Sequence, residues 1–315
     1  MAEPVFVAVE ARPERRPWVG YVMVMTAATL WAVNGAVSKV ILTSGLSSLR
    51  LAEVRSAGAF VLLALTLAVV RPRSLSLRRR ELPLLMLFGA GGLALVQLFY
   101  FLAIHRLAIG IALLIEYLAP VLVALWARFV MHQPVRQRIW LALALAVAGL
   151  ALVVEIWSGL SLDAAGVAAA LAGAATYAAY LLLAERGVAG RDPVSLVCFG
   201  FLFAALAWSV VQPWWSFPNG IVGSDISLHG RLAAWHVPVW SLMAWMIVLG
   251  TIVPFGLLVG SLRHIPATRA AIVAMLEPVV ATVVAYAWLE ESLTTVQIAG
   301  AVVVLAAIFL AQSAR

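Results

Sequence analysis

Apolar runs of about 20 residues, divided by short polar stretches, recur along the chain from Trp18 to Gln312. A run of that length, wound as an α-helix, crosses a hydrocarbon core of about 30 Å. The boundaries predict ten such spans, over 18–42, 50–70, 82–104, 108–130, 138–157, 163–184, 193–211, 239–262, 267–289 and 294–312. The longest connection, 212–238, follows the seventh. Residues 1–17 carry Arg12, Arg15 and Arg16 as a leader peptide would, but the run behind them exceeds the apolar core of 7 to 15 residues that a cleaved leader has. The first run therefore reads as a retained helix and 1–17 as a tail.

The apolar pattern also repeats. A shift of 158 residues lays Leu118, Pro120 and Val121 on Leu276, Pro278 and Val279, and Ala112 and Ala127 on Ala270 and Ala285. The loop after the first of these two helices is basic (His132, Arg136, Arg138) and the loop after the second begins Glu290-Glu291. Five spans per copy is an odd number, so the second copy, 161–312, must enter the membrane upside down relative to the first, 18–158. The change of loop charge is what that inversion demands. In the second loop Thr294-x-x-Gln297 has the form of a capping box for the last helix.

Composition removes the water-soluble alternatives. Hydrophobic residues make up 64% and charged residues 11%, against about half and a quarter in soluble domains. The net charge of +7 would suggest a nucleic-acid partner in a soluble protein, but here the basic residues lie between the spans, so it reports topology and no nucleic acid is expected. Sixteen of the 21 Lys and Arg residues fall on the side of the N-terminus, four on the other, and Arg55 lies inside the second span. This bias predicts a multi-pass protein of the cytoplasmic (inner) membrane with both termini in the cytoplasm. Trp214, Trp215, Trp235 and Trp240, in or beside the long loop, then suit the outer interface. Cys198 is the sole cysteine; it excludes a disulfide or thiolate metal site and reads as a packed apolar residue. No metal or cofactor is expected.

A polar group within a span is costly unless it is paired or wet, so such groups point to a pathway. They are Asn34 and Lys39, Glu53 and Arg55, Gln97 and Tyr100, Glu116 and Tyr117, Tyr177 and Tyr180, and Glu277. At 1.5 Å per residue, Glu116 and Glu277 fall roughly 12 to 15 Å deep, near the midplane. Asn34, Gln97, Glu53 and Arg55 lie in the outer half by the same count, which allows one shared cavity. A proline inside a helix frees the carbonyl four residues before it: Pro120 frees Glu116, Pro278 frees Ala274 and Pro254 frees Gly250, three flex points. Glu53 and Arg55, two apart, cannot face each other; Glu53 with Lys39, or Arg55 with Glu116, would be structural pairs. Small residues (Gly89, Gly91, Gly92; Gly166, Ala170, Gly173; Gly256, Gly260) allow close helix contact within the chain or at a homodimer face.

With ten spans, two five-span halves, Leu276-Glu277-Pro278-Val279, and then Glu291-Ser-Leu-Thr294-x-x-Gln297-x-x-Gly300, the chain resembles the EamA-type members of the drug/metabolite transporter superfamily. The likeness covers roughly 19–312; the first half keeps Leu118, Pro120 and Val121 but has Gln133, Val135 and Arg136 where the second has Glu291, Leu293 and Thr294. The resemblance implies inverted repeats around a central cavity and export of amino acids or related metabolites. The related small multidrug exporters couple to protons through a glutamate in their first helix. The first span here has no acidic residue, so that mechanism does not carry over by position; Glu116 is the candidate for proton coupling, with uniport the alternative.

The expectation is therefore a secondary transporter of a small metabolite, most simply an amino acid or derivative. Asn34, Arg55, Gln97, Tyr100, Glu116, Tyr117, Tyr177, Tyr180 and Glu277 would line its site, and protons are a candidate coupling ion. A membrane scaffold or receptor is the alternative. An intramembrane enzyme is a weaker one, since no His-Glu-x-x-His, Gly-x-Ser-x-Gly or P-loop pattern is present.

Overall fold

The computed structural model describes residues 16–107, 109–157, 163–290, 292 and 294–313. Ten apolar helices account for nearly all of them: α1 (Pro17–Leu42), α2 (Ser48–Val70), α3 (Leu82–Ile104), α4 (Ile111–Val130), α5 (Gln137–Val153), α6 (Ala164–Gly190), α7 (Pro193–Val211), α8 (Val239–Ser261), α9 (Ala267–Leu289) and α10 (Thr295–Ser313). Nine have 19 or more residues; α5 has 17 and ends four residues before its expected limit. Helix α6 runs six residues past its expected end, so Glu185 and Arg186 are helical. Most of the tail, with Arg12 and Arg15, the junction at 158–161, and Glu291, Leu293 and Arg315 lie outside the described residues.

Local sequence explains the helix ends. Ser47, Asp163 and Asp192 cap α2, α6 and α7 by accepting amide protons three residues on. The capping box forms before α10: Thr294 N donates to Gln297 Oε1 at 3.0 Å and Gln297 N to Thr294 Oγ1 at 3.2 Å.

The two halves share their irregularities at the 158-residue offset. Helix α4 breaks at Tyr117–Leu118, just before Pro120, and α9 breaks at Met275, just before Pro278. Helix α3 widens into a π-helical stretch at Leu87–Ala94, and α8 does so at Val248–Ile252. His132 and Glu290, which follow the fourth helix of each half, both take the left-handed conformation (φ 54° and 61°). Five crossings per half place the halves antiparallel, and the fold is that of two inverted repeats.

The halves interlock. Helix α1 packs on α8 and α9, α2 on α7, and α3 and α4 on α6. Glycines set the closest approaches: a Cβ at Gly89 of α3 would stand 2.3 Å from the Gly200 carbonyl oxygen of α7, and Cβ atoms at Gly149 and Gly300 would stand 2.7 to 2.9 Å from backbone of the opposing helix, where α5 crosses α10. Gly92 and Gly166 likewise face neighbours within the chain, whereas Gly256 meets nothing of this chain within 4 Å. Cys198 is fully buried.

Each face of the bundle is tied by polar contacts between halves. On the face bearing Pro17 and Ser313, the Arg191 guanidinium holds Glu81 and the Ser74 and Ser76 carbonyls of the α2–α3 loop, while lying 4.5 Å from the Phe199 ring. Arg71 approaches Asp192 to 3.8 Å there. On the other face, residues 212–238 carry two short antiparallel strands, β1 (Asp225–Ser227) and β2 (His236–Pro238), the only strands among the described residues. Ile226 of β1 packs with Val37, Val40 and Ile41 at the end of α1. His229 meets Thr43 of the first half at 3.1 Å, while within the second half the Trp288 indole of α9 donates to the Leu228 carbonyl at 3.0 Å. Trp214, Trp215 and Trp235 of this segment and Trp240 at the start of α8 are exposed.

Candidate functional site

The site forms where the broken helices meet. Glu116 is the last residue before the gap in α4, and Glu277 lies in the first turn after the gap in α9. A half-helix ends in unpaired carbonyls and begins with unpaired amides. A negative charge is thus repelled at Glu116 and stabilised at Glu277. The repeat duplicates the break and not the acid, since the partner positions are Ala274 and Ala119. At both places the α-helical pattern lapses for one or two residues that keep right-handed dihedrals, Leu118 at φ −73° and ψ −10° and Met275 at φ −64° and ψ −3°, with the Leu118 and Met275 amides bonded to carbonyls three residues back.

Tyr117, in the gap of α4, donates its hydroxyl to Glu277 Oε2 at 2.9 Å and joins the two breaks. Glu116 lies within electrostatic reach of Glu277, as does Arg55, and Tyr100 and Tyr177 lie within reach of both carboxylates. Arg55, Gln97, Tyr100, Glu116, Tyr177 and Glu277 all keep part of their surface accessible although they sit mid-helix within the bundle. Two surface clefts of about 320 and 240 Å³, one along α1 and one between α3 and α7, contain none of them.

Arg55 reaches α8. Its Nε donates to Thr251 Oγ1 at 3.2 Å and its Nη2 to the Gly250 carbonyl at 3.3 Å. That carbonyl is the one Pro254 deprives of a helical donor, and the π-helical turn before Pro254 accommodates the ring. Phe255 lies 6.0 Å from the Arg55 guanidinium carbon. Around Phe255, Trp31, Phe201 and Tyr180 pack edge to face with ring centroids 5.0 to 6.0 Å apart, and Tyr180 stacks with Tyr177 at 6.2 Å. Asn34 presses on Gly250, where an added Cβ would come within 2.0 Å of Asn34 Oδ1.

Three buried polar atoms here have no partner among the described residues: Asn34 Oδ1, Gln97 Oε1 and the Tyr180 hydroxyl. In a membrane interior an unmet polar group is expensive, so these atoms are suited to a polar guest or to water.

The structure thus gathers Arg55, Tyr100, Glu116, Tyr117, Tyr177 and Glu277 into one group, with Asn34 and Tyr180 reached through Gly250 and Phe255. It corrects the expected ion pairs. Glu53 is bound by Arg50, three residues earlier, at 2.6 Å, and not by Lys39. Arg50 also donates to the Pro213 carbonyl at 2.9 Å and to Ser216, so this fully buried pair fastens the long loop and stands apart from the site. Arg55 hydrogen-bonds α8 and makes no ion pair with Glu116. Trp31, Thr251 and Phe255 are additions. Trp31 and Asn34 are three apart and Thr251 and Phe255 four apart, spacings that share a helix face, but uncharged side chains in an apolar run carry no warning of their own.

Comparison with known proteins places these features in company. The EamA-like transporter family matches residues 18–155 and 164–312. The threonine/homoserine exporter RhtA of Salmonella typhimurium is 31% identical over 231 residues, covering 73% of this chain and 70% of its own. RhtA of Escherichia coli K12 is 31% identical over 222 residues, 70% and 68% of the two chains. The uncharacterized transporter YwfM of Bacillus subtilis is 25% identical over 281 residues, 86% of each. A solved crystal structure of a protein shares the fold with a TM-score of 0.75 at 16% identity, over 93% of this chain and 96% of that one.

Proposed function

The chain belongs to the EamA-like transporter family, and from that premise we propose that it exports a small amino acid or a close derivative from the cytoplasm. It is a multi-pass membrane transporter; the substrate class, the direction and the cycle are the proposal. The observation that carries it is the gathering of one cation, Arg55, and a second carboxylate, Glu116, within electrostatic reach of Glu277, beside the hydrogen bond that joins Tyr117 to Glu277 across the two interrupted helices. A zwitterion has one charge for each: carboxylate to Arg55, ammonium to the acidic pair. The narrow interior, walled by Trp31, Tyr100, Tyr177 and Phe255, suits a small solute. The name of the RhtA relatives points the same way.

The basic face, with Arg71, Arg78, Arg79, Arg80, Arg191 and Arg263, is cytoplasmic in this reading, in the inner membrane. Alternating access follows from rocking of the inverted halves. The ties between halves through Arg191 on one face and through His229 and Thr43 on the other must open in turn. Glu116, facing the carbonyl end of its half-helix, is the residue assigned to exchange a proton against substrate.

The test is efflux. Overproduced in cells lacking their own threonine exporters, the protein should raise tolerance to external threonine or homoserine and speed release of preloaded radiolabelled amino acid. Release at the rate of empty-vector cells, with the protein present in the membrane, would remove the reading.

A further inference from the structure

Arg55 is held more closely than a charge partner alone requires. Its Nε and Nη2 hydrogens form one side edge of the planar guanidinium, and α8 occupies that edge through Thr251 Oγ1 and the Gly250 carbonyl. Among the described residues no protein acceptor meets Nη1. Thr251 is fully buried, and its own hydroxyl donates to the Met246 carbonyl at 2.9 Å, which leaves its lone pair for Arg55. Gly250 is pinned by Asn34. Glu277, within electrostatic reach, is the rival for the guanidinium. A flexible arginine would swing onto that carboxylate and neutralise the site.

We propose that Thr251 is a positioning residue. With the Gly250 carbonyl it holds the side edge of Arg55 on α8, so that the end edge, Nη1 with Nη2, is presented to the cavity and clasps a substrate carboxylate at two points. This rests on the amino-acid reading above and sharpens it. An ionised carboxylate becomes the obligatory feature of the solute, and a carboxamide of the same shape, which offers a single acceptor and no charge, is refused.

The test is uptake by proteoliposomes of the full chain, with L-threonine and L-threoninamide as probes, in wild type, Thr251→Val and Thr251→Ser. Valine keeps the shape and removes the acceptor; serine restores it. The expected result is preference for the acid in wild type, a KM for L-threonine raised about tenfold or more in Thr251→Val with Vmax within about twofold, loss of the acid-over-amide preference in that variant, and recovery of both in Thr251→Ser. Melting of each purified variant is followed in parallel; should Thr251→Val not fold, a wild-type KM and preference in Thr251→Ala would count against the proposal in its place. Wild-type KM and preference in Thr251→Val overturn the positioning role while leaving amino-acid transport intact. Equal transport of acid and amide by wild type overturns the carboxylate requirement. Transport of neither probe by wild type removes the amino-acid reading, and this inference with it.

Discussion

The acidic pair divides its labour by position on the broken helices. Glu277 has an amide end and the Tyr117 hydroxyl to stabilise its charge, whereas Glu116 has neither. Glu116→Gln should therefore leave the melting temperature near wild type and abolish the response of flux to an imposed pH gradient; unchanged pH-driven flux would defeat the proton role. Tyr117→Phe removes a hydrogen bond to a carboxylate, worth about 1.5–3 kcal/mol, and should weaken substrate binding by about ten- to a hundredfold in titration calorimetry. The candidates that the sequence exposes are those whose chemistry is conspicuous in an apolar run: two carboxylates, an arginine, two amides and several tyrosines. Thr251 stays hidden because a threonine in a membrane helix ordinarily satisfies itself on its own backbone. Glu53 misleads for the opposite reason. Its partner is a local arginine at the helix end, and the acid serves the loop.

Helices and their interruptions were legible to different degrees. Ten apolar runs give ten helices with few errors, because the cost of bare backbone in lipid leaves little choice. Prolines 120, 254 and 278 lie beside irregular places in their helices, but a missing amide cannot say whether the helix bends, breaks or widens. Neighbouring residues decide that: the gap follows Glu116 in α4, whereas a π-helical turn absorbs Pro254 in α8. Contacts between elements were the least visible, since alanine and glycine are common in every run. At the α5–α10 crossing each glycine lies against the other helix's backbone, so Gly300→Leu must force those backbones apart. Overpacking costs about 1–3 kcal/mol, and the purified variant should melt several degrees lower, or elute as aggregate, in detergent. Thr294→Ala, which removes the cap of α10 and a contact to Glu155, should cost about 1 kcal/mol and produce a smaller shift in the same melting assay.

For the molecule as a whole, inversion is the property from which the others follow. Charge reversal between equivalent loops signals it in the sequence, and shared breaks and π-helical turns at one offset mark it in the structure. With Cys198 buried, single cysteines replacing Arg79 and Glu290 should react with membrane-impermeant maleimide from opposite sides of intact cells and inverted vesicles; labelling from one side alone would contradict the antiparallel halves. Interlocking has a further consequence, for biogenesis. Arg55 leaves the ribosome 195 residues ahead of the Gly250 carbonyl that it will bind, and at 5–20 residues per second that interval is about 10 to 40 s. For that time a cationic side chain has no permanent neighbour in the hydrocarbon. The second span must be sheltered by the insertion machinery, or shift toward the interface, until the eighth arrives, and neither half synthesised alone would contain the partners its polar groups need.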